Sequence, residues 1–183
     1  MSLKLSNDIK AEAKRLGFFA CGIAKAAPVD ATTATEVKRW LDNGCFGDMA
    51  YMNNYTDKRL NPKLLMPGLK SIVCVAMSYA PAKRIPEGQY QLASYAYGQD
   101  YHEVVKGKLR QLATHFGFEP HTEDTTLTCS SFVNAIPKFR VFCDSAPILE
   151  RYWAVKAGLG WTGRNHQLII PKAGSMFVLG ELF

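Results

Sequence analysis

The feature that most constrains the fold is a continuous apolar run at residues 71–79, SIVCVAMSY. Pro67 and Gly68 precede the run and Pro81 follows it, so turn-forming residues mark both of its ends. Because the run has the length of a strand and shows no polar alternation, it predicts a strand buried on both faces. We expect this strand near the centre of a sheet, with other elements covering both faces.

The other patterns alternate between helix and strand. Helices are predicted where apolar residues recur at helical spacing and strands where short apolar runs occur. The predicted helices span 7–16, 33–43 (with Val37, Trp40 and Leu41 inward), 101–116 (capped by Asp100) and 147–156, and the predicted strands span 18–24, 71–79, 139–143 and a hairpin of 167–171 with 175–179. This order predicts an α/β or α+β fold with a mixed central sheet flanked by helices. A chain of 183 residues can bury one sizeable core, so a single domain is expected over residues 1–183.

Three further segments are less regular. Met49, Tyr51, Met52 and Tyr55 belong to a possible short helix, and we expect their large side chains to fill the core. Residues 80–91 and 122–131 are rich in turn-forming or polar residues and predict loops, the second with weak strand character.

Composition and cysteine usage exclude several protein classes. With 48% hydrophobic and 21% charged residues, the chain is neither disordered nor a coiled coil. No apolar run reaches the roughly 18 residues of a membrane span. The five cysteines are widely spaced and form no C-x-x-C pair, which is typical of a reduced cytoplasmic protein without a local zinc or iron–sulfur site. The net charge of +6 suits a polyanionic partner but does not require one.

Residues 158–163, GLGWTG, match the dinucleotide-binding pattern G-x-G-x-x-G. In such a site a strand precedes the glycines and a helix follows them, whereas here the predicted order is reversed. We therefore interpret the glycines as a loop with unusual backbone angles that lets a bulky ligand approach closely. Arg164, Asn165 and His166 would supply polar contacts to that ligand, and a plain connecting loop is the alternative.

Two segments carry candidate chemistry. Asp144 lies at a predicted strand-to-helix junction among apolar residues, where burial would make its carboxyl a proton donor. The same position suits a helix cap, with Ser145 as the other capping candidate, and the sequence does not rank these interpretations. Residues 95–102, YAYGQDYH, gather three tyrosines, Asp100 and His102, a set that suits the rim of a site for a conjugated ligand or a nucleobase.

Several ordered blocks together resemble the epoxyqueuosine reductase family. They are YAYGQDYH at 95–102, DSAPILER at 144–151, KAGLGWTGRN at 156–165, GS at 174–175 and LGE at 179–181. Upstream, the same pattern is matched by residues 40–41, 47–49, 59 and 65–68. The likeness covers nearly the whole chain, and ordered blocks of this kind are more specific than any single motif.

The resemblance implies a cobalamin-dependent oxidoreductase that reduces epoxyqueuosine in a tRNA anticodon to queuosine, in the cytoplasm and without a membrane partner. It also implies a nitroreductase-like or cobalamin-processing-like domain. The family carries iron–sulfur clusters in a ferredoxin-like module, which is expected only downstream of this chain. The electron donor is left open.

Roles for individual residues also follow from the resemblance. Asp144 matches the family's proton donor, which favours the acid interpretation over the cap. The substrate-binding candidates are Tyr101, His102, Arg140 and Arg151. The cofactor-binding candidates are Arg59, Tyr97, Asp144, Ser145, Trp161, Arg164, Asn165, Gln167 and Ser175, and no metal ligand is assigned.

Arg164 stands where the family commonly has lysine, and the loop at 122–138 is longer than usual. Two hypotheses from other classes remain open at this point. One is a flavin-dependent, nitroreductase-like oxidoreductase. The other is a tRNA-binding module without catalysis, for which the net charge of +6 is the only independent support.

Overall fold

The computed structural model describes residues 2–121 and 138–183, so the loop predicted at 122–131 lies outside the described residues. The elements, in chain order, are α1 (Leu3–Arg15), β1 (Ala20–Lys25), α2 (Ala31–Asp42), α3 (Thr56–Leu60), β2 (Ser71–Ser78), α4 (Tyr101–His115), β3 (Glu119–Pro120), β4 (Lys138–Phe139), β5 (Val141–Phe142), α5 (Glu150–Lys156), β6 (Trp161–Thr162), β7 (Leu168–Ile169) and β8 (Phe177–Leu182). Short 3-10 helices occupy Ala50–Asn53, Pro62–Leu64 and Ser94–Ala96.

The central sheet has the strand order β1-β2-β8-β5. The apolar run at 71–79 forms β2, an inner strand with five consecutive buried residues, as predicted. Every pairing in this sheet is antiparallel, so the prediction of a mixed sheet is wrong. Alternating helices and strands are typical of parallel strands joined by crossover helices, which is why a mixed sheet was predicted. In the structure, however, β8 runs antiparallel to its neighbour β5, although a helix lies between them in the chain. The one parallel pairing among the described residues joins the short strands β3 and β4.

Helices and loops cover the two faces of the sheet. On one face α1 and α4 pack through residues such as Ile9 and Leu109 against Val75 of β2. On the other face α5 inserts Trp153 against Cys74 of β2. Full burial of side chains of this size stabilises the fold by about 1.5 to 3 kcal/mol each. Because successive residues of β2 point to opposite faces, one apolar strand contributes to both cores.

The helix predicted after Asp100 is confirmed as α4. The Asp100 carboxylate caps it by accepting a hydrogen bond from the backbone N–H of His102 at 2.9 Å. Val105 and Leu109 are fully buried on its inward face, as their spacing predicted. Gly117, with φ of +75°, follows the helix end in the left-handed conformation that glycine tolerates.

Other helical predictions need correction. α1 begins at Leu3 rather than at residue 7, because Ser2 caps its first turn with a side-chain hydrogen bond. In α2 only Leu41 of the three residues predicted to face inward is buried, while Trp40 is exposed and packs beside Phe46. The expected core role of the segment at 49–55 is also wrong. The large side chains there that are exposed are Met49, Tyr51 and Tyr55.

The predicted hairpin of 167–171 with 175–179 is wrong. The turn itself exists and is closed by a bridge between Ile170 and Gly174. Its two arms then separate, because β7 pairs with β6 whereas β8 joins β2 and β5 in the central sheet. A local apolar pattern predicts extended backbone but does not identify the partner strand.

The glycine loop at 158–163 is explained by packing within the chain. A Cβ at Gly160 would meet the backbone oxygen of Ile169, and a Cβ at Gly163 would meet the Ile169 side chain. Gly160 and Gly163 therefore allow β6 and β7 to approach each other, and the close approach of a ligand to this loop stays a prediction. No helix in the described part of the chain is both long and apolar enough to cross a membrane.

Candidate active site

A cleft of about 1000 Å³ opens at one edge of the central sheet. Its position follows from the topology, since β2 and β5 end at this edge while β8 and α4 begin there. The residues that immediately follow or begin these elements line it, including Tyr79, Tyr101, Asp144 and Phe177. Each of these four elements therefore contributes a residue at or near one of its ends to the same cleft.

Asp144 occupies a strained turn at the mouth of this cleft. Its φ of 56° lies in the left-handed region, which is uncommon for a residue other than glycine. Its side chain is 50% exposed, and the Tyr101 hydroxyl donates a hydrogen bond to its Oδ2 atom. α5 begins only at Glu150, with Leu149 at the N-cap position, so the cap interpretation of Asp144 and Ser145 is wrong. The reason is that the chain turns through the intervening segment before it becomes helical.

Tyr101 and His102, at the start of α4, face Asp144 together. Their rings stack with centroids 4.0 Å apart, and His102 Nε2 lies 3.7 Å from Asp144 Oδ2. The other ring nitrogen of His102, Nδ1, is 2.7 Å from Asp100 Oδ1. Burial raises the pKa of Tyr101, and the hydrogen bond to Asp144 raises it further, so the phenol keeps its proton and acts as a donor. Asp100 therefore both caps α4 and orients the imidazole.

Two further carboxyl groups lie behind Asp144. The backbone N–H of Asp144 donates a hydrogen bond to Glu150 Oε1 at 2.6 Å. Burial, followed by the charge of Asp144, raises the pKa of Glu150 to about 8. Glu181 of β8 has no exposed surface, and burial raises its pKa well above the ordinary value, with a further contribution from Glu150. An acidic side chain in the middle of an apolar strand is rare unless it is paired.

The opposite wall of the cleft carries aromatic rings and one buried cation. Tyr51 and Tyr55 line it with more than half of their surface exposed. Arg59 is buried beside them, and its guanidinium donates a hydrogen bond to the backbone oxygen of Met52. Burial lowers the pKa of Arg59, although a guanidinium remains charged at neutral pH. This wall can offer both flat apolar contact and a positive charge to a ligand.

The structure brings about half of the predicted site residues to the cleft. The predicted residues that line it are Arg59, Tyr101, Asp144, Ser145, Arg151 and Gln167. His102 reaches it through its contact with Asp144, and Tyr97 lines an adjoining cavity of about 480 Å³.

The remaining predicted residues lie elsewhere. Arg140 donates a hydrogen bond to the Leu65 oxygen at 2.7 Å and stacks on Phe142, which places it in the packing of the fold. The four residues around the β6–β7 unit that are absent from the cleft lining are Trp161, Arg164, Asn165 and Ser175. In the described part of the chain no group of three or more His, Cys, Asp or Glu side chains is arranged to hold a metal ion.

Sequence reasoning missed several residues of this site. Asp100 was predicted only as a cap, and Tyr51 and Tyr55 only as core residues. Glu150 and Glu181 belong to quoted blocks but were given no role. The available signal was the position of Glu181, a single charge in the apolar stretch from Phe177 to Phe183.

Comparison with known proteins places this sequence beside one family. The family described as epoxyqueuosine reductase QueG, DUF1730, matches residues 59–145. The epoxyqueuosine reductase of Cellulophaga algicola is 41% identical over 98% of this chain and 54% of its own length. The chain belongs to the epoxyqueuosine reductase family. The matched segment contains Arg59, Tyr101 and Asp144, which all line the cleft.

Solved structures of the family share this fold. The epoxyqueuosine reductase of Streptococcus thermophilus matches 100% of this chain and 46% of its own chain, with a TM-score of 0.77 and 23% identity. An epoxyqueuosine reductase solved with an epoxyqueuosine-modified tRNA stem loop matches 98% of this chain and 44% of its own, with a TM-score of 0.72 and 23% identity. The chain spans about half the length of the curated relatives it matches.

Proposed function

We propose that this chain supplies the cobalamin site and the substrate site for the reduction of epoxyqueuosine to queuosine in a tRNA anticodon, in the cytoplasm. The family assignment supports the reaction. We also infer from it that the domain is cobalamin-processing-like or nitroreductase-like. The observation that carries the proposal is the convergence of Asp144, Tyr101 and His102 at the mouth of one large cleft.

The volume and the lining of the cleft support the proposal of a large ligand such as cobalamin. Its volume of about 1000 Å³ stands at the upper end of the range of roughly 300 to 1000 Å³ that is usual for small-molecule sites. Tyr51 and Tyr55 offer exposed aromatic faces to a broad ring system. Arg59, Ser145 and Gln167 offer polar groups for the amides and phosphate at a corrinoid's periphery. Trp161, Arg164, Asn165, Ser175 and Tyr97 remain predicted contacts.

Reduction of an epoxide to an alkene consumes two electrons and two protons and releases the oxygen as water. Cobalamin, when bound, would supply the low-potential reducing chemistry. The residues of this chain orient the substrate and provide protons. Asp144 donates a proton to the departing oxygen, while the Tyr101 hydroxyl holds the carboxyl in place through its hydrogen bond to Oδ2.

The role of His102 follows from its two contacts. Asp100 holds Nδ1 at 2.7 Å, which directs Nε2 toward Asp144. At 3.7 Å, Nε2 is beyond hydrogen-bond distance of Asp144 Oδ2, so His102 borders the acid and shapes its polar surroundings without replacing its proton directly. Arg151 lines the same cleft and is the candidate for binding the substrate's polar groups, while Arg140 remains a predicted substrate contact without a place in the lining.

A similar structure in the family was solved with a modified tRNA stem loop. We infer that the substrate of this chain is likewise a tRNA anticodon carrying epoxyqueuosine. The net charge of +6 favours contact with the phosphate backbone of such a partner. Iron–sulfur clusters and the electron donor belong to the whole reaction and are not assigned to residues of this chain.

Titration of the 183-residue chain with cobalamin tests the proposal. We expect the visible spectrum of cobalamin to change as it binds. Arg59→Gln should weaken binding on the order of 10-fold, because it removes a buried charged donor, while the exposed Arg39→Gln should have no effect. A parallel titration with flavin should show no binding. An unchanged cobalamin spectrum well above micromolar concentration, or tight flavin binding instead, would contradict the proposal.

A further inference from the structure

We propose that Glu150 and Glu181 form, behind Asp144, a chain of buried carboxyl groups that holds Asp144 in position and stores protons for it. This inference rests on the proposed function, because it assigns Asp144 as the acid. Glu150 and Glu181 act through Asp144 and are positioning residues.

The contact between Glu150 and Asp144 holds the strained turn. Residues other than glycine adopt the left-handed region unfavourably, so the backbone of Asp144 needs a compensating interaction. The backbone N–H of Asp144 donates to Glu150 Oε1 at 2.6 Å, and a carboxyl group that keeps its proton still has an oxygen that accepts such a bond. Glu150 is the first residue of α5, so the helix fixes the acceptor relative to the cleft.

Glu181 extends the chain of carboxyl groups into the sheet. In the strand register it lies between Cys74 of β2 and Phe142 of β5, and it has no exposed surface. Its carboxyl oxygens make no hydrogen bond of normal geometry among the described residues, but the Glu150 carboxyl lies close enough to raise the pKa of Glu181 through its charge and through side-chain hydrogen bonding. Its charge interacts with that of Glu150. An isolated buried carboxylate is strongly unfavourable, so Glu181 takes the neutral form.

The surroundings keep protons on the inner pair at neutral pH. Burial and the neighbouring carboxyl groups raise the pKa of both glutamates, that of Glu150 to about 8. The other titratable groups that interact with the pair are Asp144 itself, Cys74 on β2, Cys143 after β5 and Tyr101 on α4. The thiols and the phenol also have raised pKa values, and Lys106 donates a hydrogen bond to Ser145 at 3.0 Å. No cation in this set neutralises the pair directly.

The reaction gives this arrangement a use. Asp144 carries one proton, whereas reduction of the epoxide consumes two. A large ligand filling the cleft would also separate Asp144 from bulk water. After Asp144 passes its proton to the departing oxygen, the Glu150 carboxyl passes a proton to the Asp144 carboxylate, and Glu181 passes one to Glu150. The electrons are those of the proposed reduction, and the transfers along the chain move protons alone.

The protonation of the pair can be measured without turnover. Carbon-13 NMR of side-chain carboxyl groups in the 183-residue chain should show two glutamates that keep their protons at pH 7. Glu150→Gln should remove one of these signals and Glu181→Gln the other, whereas the exposed Glu36→Gln should remove neither. If all glutamates of the wild-type chain are ionised at pH 7, the inference is wrong.

Turnover then separates proton storage from a purely structural role. Glu150→Gln keeps an oxygen that can accept the Asp144 N–H but has no proton to give. With cobalamin, a low-potential chemical reductant and epoxyqueuosine tRNA, we expect the variant's rate at pH 7 to fall on the order of 10-fold at unchanged cobalamin affinity. We expect the rate of the wild type to decline above about pH 8, where Glu150 loses its proton, and we expect this decline to be absent in the variant.

If Glu150→Gln matches the wild type in rate and pH profile, this inference fails while the proposed function stands. If the wild-type chain itself gives no turnover in this assay, the proposed function fails. The carboxyl signals still decide whether the protonated pair exists.

Discussion

Replacement of Glu181 by glutamine should make the stability of the chain depend less on pH, and the direction follows from linkage. The pKa of Glu181 is raised on folding, so the folded state binds a proton that the unfolded state releases above its ordinary pKa of 4.5. The contribution of Glu181 to stability is therefore greatest below pH 4.5 and is lost as pH rises toward the folded-state pKa. Because the glutamine side chain is neutral at every pH, the variant takes up no proton at this position on folding.

The size of the effect follows from the same difference. Above pH 4.5 the proton uptake costs about 1.4 kcal/mol for each pH unit, as long as Glu181 keeps its proton in the folded state. Glutamine loses this cost but introduces amide donors that are only partly paired, at about 1 kcal/mol. We expect Glu181→Gln to be less stable than the wild type by about 1 kcal/mol at pH 4.5 and to gain on it by about 1.4 kcal/mol for each pH unit above that, until the folded wild-type carboxyl ionises.

Urea unfolding of the wild type and the variant at several pH values between about 4.5 and 8 measures this difference in the free energy of unfolding directly. Each kcal/mol gained by the variant should raise its melting temperature by roughly 2 to 4 °C for a chain of this length. The exposed Glu36→Gln serves as the matched control and should follow the wild type at every pH. A difference between Glu181→Gln and wild type that is constant with pH would refute the argument that Glu181 folds in its neutral form.

Three further outcomes are expected. Gly22→Ala should lower the free energy of unfolding by about 1 to 3 kcal/mol, because the added Cβ would overlap the Ala157 backbone oxygen. Gly107→Ala should raise the free energy of unfolding by about 0.5 to 1 kcal/mol, because a Cβ at this position inside α4 meets no other atom. Chemical denaturation measures both changes. Asp100→Asn keeps the helix cap but weakens the hold on His102, so the rate should fall at unchanged melting temperature. Binding of tRNA, followed by fluorescence anisotropy, should weaken at least about 10-fold between roughly 50 and 200 mM salt, and affinity independent of salt would show that the positive charge is not a tRNA surface.

Local sequence predicted the elements whose patterns are strong within one segment. β2 and α4 are the clearest, because a fully apolar run and a spacing of buried leucines and valine are set by residues near in sequence. The hairpin and the mixed sheet were wrong because strand pairing depends on distant partners, and β8 pairs with β2 about 100 residues earlier. Whether two paired strands run antiparallel depends on the path of the chain between them, and no short sequence pattern encodes that path.

The site was predicted in outline rather than in detail. Asp144, Tyr101 and His102 were found through the family resemblance, and the structure then showed that they touch. The sequence could not distinguish a cap from an exposed acid at Asp144, because the decision depends on a left-handed backbone and on where α5 begins. The role of Glu150 was hidden because it arises from burial and from a contact to a backbone N–H, which no motif records.

The most direct test of the account is turnover by Asp144→Asn. Asparagine tolerates the left-handed backbone and can still accept the Tyr101 hydroxyl, so the fold and cobalamin binding should remain near normal. The variant cannot donate the carboxyl proton, and loss of a general acid typically lowers the rate by about 100- to 10,000-fold. The assay uses cobalamin, a low-potential chemical reductant and epoxyqueuosine tRNA, with the exposed Asp8→Asn as the control. The account predicts that Asp144→Asn melts and binds cobalamin normally with turnover nearly abolished, and normal turnover by this variant would contradict it.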